Sequence, residues 1–294
     1  PLYFLIIASL VNIVLDVVFV AAFHWGVAGA AIATVISQVA SAVLTIRCLA
    51  GSNGMPWHLR ADKLRPDANT TGNICRIGLP SAVQSALYSI SNIVIQASIN
   101  AFGTNAVAAW SVYGKIDFLF WMTVSSFGIA ITTFVGQNFG ARQYDRVRSG
   151  TRICLGMTAA ITICISLVLY PAAGLAFRLF TQDEAVITLG VEIMHFLVPT
   201  YITYICIEIL SGALRGCGDV RVPTLITVFG VCGLRIAWLL LVTPRMGTLL
   251  SVEASYPITW LLASVLFVVY YLRGSWLPRC IQAQEAAADK EKEA

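Results

Sequence analysis

Five polar side chains recur at four-residue spacing through an otherwise apolar stretch: Gln84, Tyr88, Asn92, Gln96 and Asn100. Steps of four on a 3.6-residue helix overshoot the turn by about 40° each, so the five form a stripe that winds slowly around one helix. Amides and phenols facing hydrocarbon cost kilocalories each, whereas facing a wet cavity they cost little. The stripe is read as cavity lining; helix–helix hydrogen bonding, which Asn and Gln also make within membranes, is the competing use. Asn12 and Asp16, four apart on an earlier helix, share a face. They serve either an interhelical hydrogen bond or a cavity wall, and Asp16 is also a carboxylate able to hold a proton or cation. Glu208, one turn before Gly212 and roughly two turns from the membrane edge, is the second such carboxylate.

Three more charges fall inside apolar blocks: Lys115, Asp117 and Arg235. Intramembrane charges are costly and are functional candidates by default. Lys115 and Asp117 are expected near the outer end of their block; two residues apart, they point away from each other and need separate partners. Arg235, mid-block, needs a counterion or acceptors, with Glu208 and Asp16 as possible partners. Glu253, opening the last block, is expected to be a charge at a helix start. Gly78 and Pro80 are expected to mark the start or a kink of one helix, while Pro199 and Pro257 lie deeper in theirs, as bends or hinges. The eight cysteines are scattered without metal-ligand spacing, and His24, His58 and His195 are isolated. No metal site or disulfide framework is expected. No H-E-x-x-H, paired-Asp or G-x-S-x-G constellation favours a membrane-embedded enzyme.

The elements that must position these groups follow from composition. Hydrophobic residues are 58% of the chain, charged residues 12%, and mean hydropathy is +0.79. A soluble domain carries about 25% charged residues, so this chain lacks the side chains to cover a water-facing surface. Eight apolar blocks, at about 1–23, 27–50, 74–101, 106–135, 150–178, 186–212, 223–243 and 252–273, are long enough to span a bilayer. Spans of that length must satisfy their own backbone and are helices; a barrel would need alternating segments, and Val11–Val20 does not alternate. The fold class is all-α, a polytopic transmembrane bundle.

If the helices alternate, 13 to 15 of the 19 Lys and Arg residues fall on one side: Arg47, Arg60, Lys63, Arg65 and Arg76, then Arg142, Arg146, Arg148 and Arg152, then Arg215, Arg221, Arg273 and Arg279, with Lys290 and Lys292 in the tail. Only Arg178 and Arg245 fall opposite. The positive-inside rule makes the first side, and both chain ends, cytoplasmic. The net charge of +4 belongs to loops touching anionic lipid, not to a nucleic-acid surface. Residues 51–73 are the long polar break, rich in Gly, Pro, Asn and basic residues, and are expected to connect two bundles. Asn69-Thr70-Thr71, a glycosylation acceptor by sequence, is expected to be silent on that side.

Residue 1 already lies in an apolar helix, without a signal-peptide pattern, so the chain reads as the C-terminal part of something longer. A weak internal similarity pairs the helices opening at Pro1 and Pro223, each followed about 24 residues on by a glycine, Gly26 and Gly247. More specific are Trp25-Gly-Val-Ala-Gly-Ala-Ala-Ile-Ala-Thr-Val-Ile-Ser-Gln38, Ile77-Gly-Leu-Pro80, Asn100-Ala-Phe-Gly103, Lys115-Ile-Asp117, Val135-Gly-Gln-Asn-Phe-Gly-Ala141 and Gly212-Ala-Leu-Arg-Gly-Cys-Gly-Asp219. In this order they resemble the MATE (multidrug and toxic compound extrusion) transporters, from residue 1 to about 273. The resemblance implies helices five to twelve of a twelve-helix, two-lobed transporter of the MOP flippase superfamily. Residues 1–50 would be the last two helices of the N-terminal lobe, 51–73 the cytoplasmic linker, 74–273 the six-helix C-terminal lobe and 274–294 a cytoplasmic tail.

What the resemblance implies about function is export of drugs or other amphiphilic organic cations, in exchange for Na⁺ or H⁺, by alternating access, with no cofactor beyond the ion and no enzyme activity. The expected partners are membrane lipid and small organic cations, in a monomer when complete. One branch of the family carries a glutamate in its seventh helix, where residues 77–101 have no acidic residue; another uses an aspartate in the first helix, outside this chain. The coupling ion is therefore left open. The rival reading is a lipid-linked glycan flippase of the same superfamily, or an inactive fragment; a flippase cavity would hold several cationic residues, and only Lys115 and Arg235 are candidates.

Overall fold

The computed structural model describes residues 2–52, 54, 58–59 and 68–293. Arg60, Lys63 and Arg65 of the connecting segment lie outside the described residues, as do the side chains of Asn69, Thr70, Arg76, Lys290 and Lys292. Among the described residues there is no strand. Nine helical rods follow one another there: α1 (Leu2–Ala22), α2 (Gly26–Ala50), α3 (Ala68–Asn100), α4 (Thr104–Gly140), α5 (Tyr144–Arg178), α6 (Glu184–Gly216), α7 (Arg221–Met246), α8 (Leu249–Arg273) and α9 (Trp276–Glu293).

The first eight answer to the eight apolar blocks, but most outrun them. The 37 residues of α4 rise about 55 Å at 1.5 Å each, against a hydrocarbon core of about 30 Å. Hydropathy ends where water begins; the backbone ladder does not. Among the described residues, seven of these helices are long and apolar enough to cross a membrane. The exception is α3, 33 residues long, whose polar stripe lowers its hydropathy. Its start also narrows the expectation for Pro80 from start or kink: α3 begins at Ala68, so the proline sits inside the helix, where only the second alternative applies.

The chain divides into two compact units, 1–72 and 73–294. In the first, α1 and α2 form a hairpin. Gly29 lies against Phe19, whose Cβ would be 3.0 Å from any Cβ added there. The turn between the helices carries His24 and Gly26 at φ 55° and 53°. The last part of α1, Val17–Ala22, widens into a π-helical segment that begins directly after Asp16.

In the second unit α4 packs against α5 and α6. The closest approach is made by glycines: a Cβ on Gly212 would stand 2.9 Å from the Gly128 carbonyl oxygen, and one on Gly216 would stand 2.7 Å from that of Thr132. Small residues let membrane helices approach where dispersion and interhelical hydrogen bonds must supply the attraction; here Thr132 Oγ1 donates to the Gly212 carbonyl at 3.0 Å. Two interruptions shape the unit. Pro199 falls in a 3₁₀ segment of α6, Val198–Thr203, and α7 carries a π-helical segment, Ile226–Gly233, just before Arg235. The turn into α8 uses Gly247 at φ 63°, the left-handed region that glycine enters without a Cβ clash.

The expected tail is helical as α9. Trp276, Leu277 and Cys280 are buried against the bundle. Arg279 donates to Tyr270 Oη at 2.8 Å, and Tyr270 in turn donates to Asp219.

Candidate functional site

A cavity of about 540 Å³ opens among α3, α4, α6, α7 and α8 of the second unit. Its wall on α3 is the middle of the polar stripe, Tyr88, Asn92 and Gln96, together with Ile95. Gln84 and Asn100 lie outside this lining, as the 40° drift per step requires of a stripe's two ends. Asn100 instead accepts a hydrogen bond from Gln96 Nε2 at 2.9 Å. Asn12 belongs to the first unit; its Nδ2 and Asp16 Oδ1 are both buried without a hydrogen-bond partner among the described residues.

Asp117 is the cavity's carboxylate. It is the fourteenth residue of α4, which begins at Thr104. Tyr201 Oη donates to Oδ1 at 2.6 Å and Trp121 Nε1 to Oδ2 at 2.6 Å. Tyr113 Oη stands 3.3 Å from Tyr201 Oη. Since the Tyr201 hydroxyl gives its proton to Asp117, it accepts from Tyr113, and the three groups form one chain. Lys115 points elsewhere, to an exposed position with Nζ 5.3 Å from the Phe180 ring centroid. The two neighbours thus find separate partners, as their helical offset demands.

Arg235 also lines the cavity and is only 2% exposed. Among the described residues no carboxylate lies within ion-pair distance of it. Glu208 is engaged elsewhere, with Arg215 at 3.8 Å and as acceptor from Tyr204 Oη at 3.1 Å. The other expected partner, Asp16, belongs to the first unit. The guanidinium is held instead by Thr259, whose Oγ1 accepts from Nη2 at 3.1 Å, and by the face of Tyr256, 4.2 Å from Cζ to ring centroid. Glu208 itself presses on Gly128: a Cβ there would overlap its carboxylate. Glu253 departs from expectation too. It lies beyond the first turn of α8 and is 4% exposed, inside the bundle rather than at a helix start.

The residues that sequence reasoning missed are aromatic. Trp110, Tyr113, Trp121, Tyr204, Tyr256 and Trp260 line the same cavity. They meet at angles: Trp121 on Tyr204 at 4.6 Å, Tyr256 on Trp260 at 5.3 Å and Trp110 on Tyr256 at 5.9 Å between centroids. Tilted and edge-to-face contacts at these separations are the favoured aromatic geometries. A signal was present in the spacing, since Trp110, Tyr113, Asp117 and Trp121 follow a 3–4–4 pattern on one face of α4. Among the described residues no cluster of His, Cys, Asp and Glu could hold a metal ion.

Such an arrangement, membrane-length helices with an aromatic cavity among them that holds one carboxylate and one guanidinium, is that of a polytopic helical membrane protein with an internal cavity. The MatE family model matches residues 80–240, over half of the chain, and the chain belongs to that family, whose members are transporters and not enzymes. It is 27% identical, over 92% of its length, to the probable multidrug resistance protein YoeA of Bacillus subtilis. It is 25% identical over 88% to the probable multidrug resistance protein NorM of Thermotoga maritima, and 24% over 94% to human multidrug and toxin extrusion protein 1. It spans 60%, 56% and 49% of those proteins. Among solved structures, a MOP superfamily transporter from Pyrococcus furiosus matches with TM-score 0.84 at 21% identity, over 92% of this chain and 61% of that one. A crystal structure of MATE in complex with MaD5 matches with TM-score 0.81 at 20% identity, over 92% and 61%. The helical-bundle fold is that of the MATE transporters.

Proposed function

We propose that this chain carries the substrate cavity of a cation-coupled antiporter that exports amphiphilic, drug-like organic molecules across the cell membrane. The observation that carries the reading is the cavity itself. At about 540 Å³ it falls within the roughly 300–1,000 Å³ usual for small-molecule sites. Its tryptophans and tyrosines present π-faces that attract organic cations, and Asp117 adds a fixed acceptor. Membership of the MatE family and likeness to multidrug resistance proteins support the same reading. The flippase alternative called for several cations in the cavity; among its described lining residues Arg235 is the one basic side chain.

Glu208 and Asp16 are the carboxylates proposed to bind the coupling Na⁺ or H⁺. Glu208 suits that role because it is reached from the cavity through Tyr204, which both lines the site and donates to it. Asp16 stands at the α-to-π junction of α1 with Oδ1 unpartnered. Ion binding drives the cycle only if it favours one of the inward- and outward-open states over the other. In this reading residues 1–50 and 74–273 belong to two lobes that rock as rigid bodies in a monomer, with both chain ends cytoplasmic.

The test is ethidium efflux from cells lacking their own pumps and expressing the complete reading frame that contains this chain. Energy-dependent efflux that collapses with an uncoupler or on Na⁺ removal is expected, and names the ion. D16N and E208Q, made separately, are expected to weaken that ion dependence in at least one case. Full efflux with unchanged pH and Na⁺ dependence in both would remove them from the mechanism. Absence of efflux from a well-inserted protein would refute the drug-export reading.

A further inference from the structure

Apart from the central cavity, a groove of about 660 Å³ runs between α5 and α6. Its α5 wall includes Ile163, Leu167 and Pro171, its α6 wall Pro199 and Ile202. It opens at the surface of the bundle, where Ile163, Leu167 and Ile202 are exposed. The sequence explains why two packed helices part here. Each proline removes a backbone donor and crowds the preceding turn, and α6 tightens into its 3₁₀ segment, Val198–Thr203. In 3₁₀ geometry side chains three apart eclipse, so Pro199 and Ile202 stand one above the other as a single edge of the groove. The Ser166 hydroxyl in the seam is spent on the Val198 carbonyl, to which it donates at 3.2 Å. What the groove offers an occupant is therefore chiefly hydrocarbon.

Its depth identifies the occupant. The uncharged part of α5 runs between Arg152 and Arg178. Arg178 makes an exposed ion pair with Glu184 at 3.2 Å, which marks that end as lying at the membrane surface. The groove's α5 residues, 162 to 171, begin near the middle of this span and rise about 14 Å towards Arg178, at 1.5 Å per residue. Half of a hydrocarbon core is about 15 Å, so the groove is as long as one leaflet's hydrocarbon is deep. Apolar cavities stay dry, and a slot left empty forfeits the dispersion contacts of its lining. We propose that this groove is a binding site for one acyl chain of a lipid in the leaflet on the Arg178 side. The site is separate from the substrate cavity and does not rest on the export reading. The two stand back to back: the 3₁₀ segment that shows Pro199 and Ile202 to the groove also carries Tyr201, which is buried and donates to Asp117. A seated chain packs behind the segment that positions this donor.

The test uses vesicles holding the complete protein that contains this chain, doped with a phosphatidylcholine whose acyl chain carries a diazirine. Light converts the diazirine to a carbene with loss of N₂, the carbene inserts into neighbouring C–H bonds, and peptide mass spectrometry locates the label. Val168 is the internal control: it adjoins Leu167 in depth, is 65% exposed against 69%, and lies outside the groove. Leu167 is expected to carry at least fivefold more label than Val168, and Ile163 and Ile202 also to exceed it although they are less exposed. Lipid that only passes along the surface labels by exposure and makes Leu167 and Val168 equal. I202W, which fills the groove with an indole, is expected to bring the Leu167 to Val168 ratio to about one, with thermal unfolding as the control for folding. I163W is a second filling variant with the same expectation. Equal labelling of Leu167 and Val168 in the wild type, or a ratio unmoved in both variants, overturns the acyl-chain site. So does a groove labelled less than Val168, the result expected if a second copy of the chain covers it. Should one variant fail to fold, the wild-type ratio and the other variant decide.

Discussion

At the scale of single residues, two positions bear most of the site's geometry. Asp117 has a donor on each oxygen, and the indole Nε1 of Trp121 can only donate. In D117N an NH₂ must face either Trp121 or Tyr201, so one hydrogen bond is replaced by opposed donors. Losing a hydrogen bond to a charged group costs about 1.5–3 kcal/mol; the expected outcome is at least a tenfold loss of dye affinity, measured by anisotropy, with a lowered unfolding temperature. Gly128 is the second position, because Glu208 lies where its Cβ would be. G128A must push Glu208 away from Tyr204 and Arg215, and overpacking of this kind costs about 1–3 kcal/mol. G128A is expected to lower the unfolding temperature, and G128A/E208A to recover part of the loss. Strict additivity in that double-mutant cycle would refute the contact.

At the scale of elements, hydropathy made the helices legible, because a segment buried in lipid must be apolar for its whole length and must close its own hydrogen bonds. It set their ends poorly. The helix start at Ala68 and the helix Trp276–Glu293 are backbone order in polar sequence, which carries no such signal. Glu253 was misplaced for the same reason: a charge near the edge of an apolar block was read as a charge at a helix start, yet it is buried by packing beyond the first turn. The stripe on α3 was legible because amides at four-residue spacing in an apolar stretch must meet either a cavity or another helix, and three of its five members line the cavity. Arg235's neighbours and the aromatic wall were not, since Trp and Tyr in a membrane helix are ordinary packing residues until several helices converge. The docking of α9 yields a further expectation. Burial pushes the Cys217 thiol up to about 12, and that of Cys280 up to about 11, so neither presents thiolate at neutral pH. Both should resist maleimide in the native protein at pH 7, and a chain ending at Gly274 should expose Cys217 to labelling. Rapid labelling of both thiols in the intact chain would mean that α9 does not dock.

At the scale of the whole molecule the quantity that decides most is orientation, and two native thiols can read it. Cys48 lies at the end of α2 and Cys75 in the second turn of α3; both are exposed. They flank the segment holding Arg60, Lys63 and Arg65. Each Lys or Arg near an anionic cytoplasmic leaflet is worth about 1 kcal/mol, so the excess of basic residues on this side acts as a sum over loops, and no single arginine decides it. A membrane-impermeant maleimide is therefore expected to label Cys48 and Cys75 in inside-out vesicles and to leave them untouched in intact cells. Cys164, exposed but deep in the apolar span of α5, should stay silent in both, because an impermeant reagent does not enter the hydrocarbon core that covers the middle of a span. Labelling of Cys48 and Cys75 from outside intact cells would invert every loop. The same inversion would carry Glu208 and Arg215, near one end of α6, to the opposite side of the membrane. Orientation thus tests the proposed direction of transport without a substrate being known.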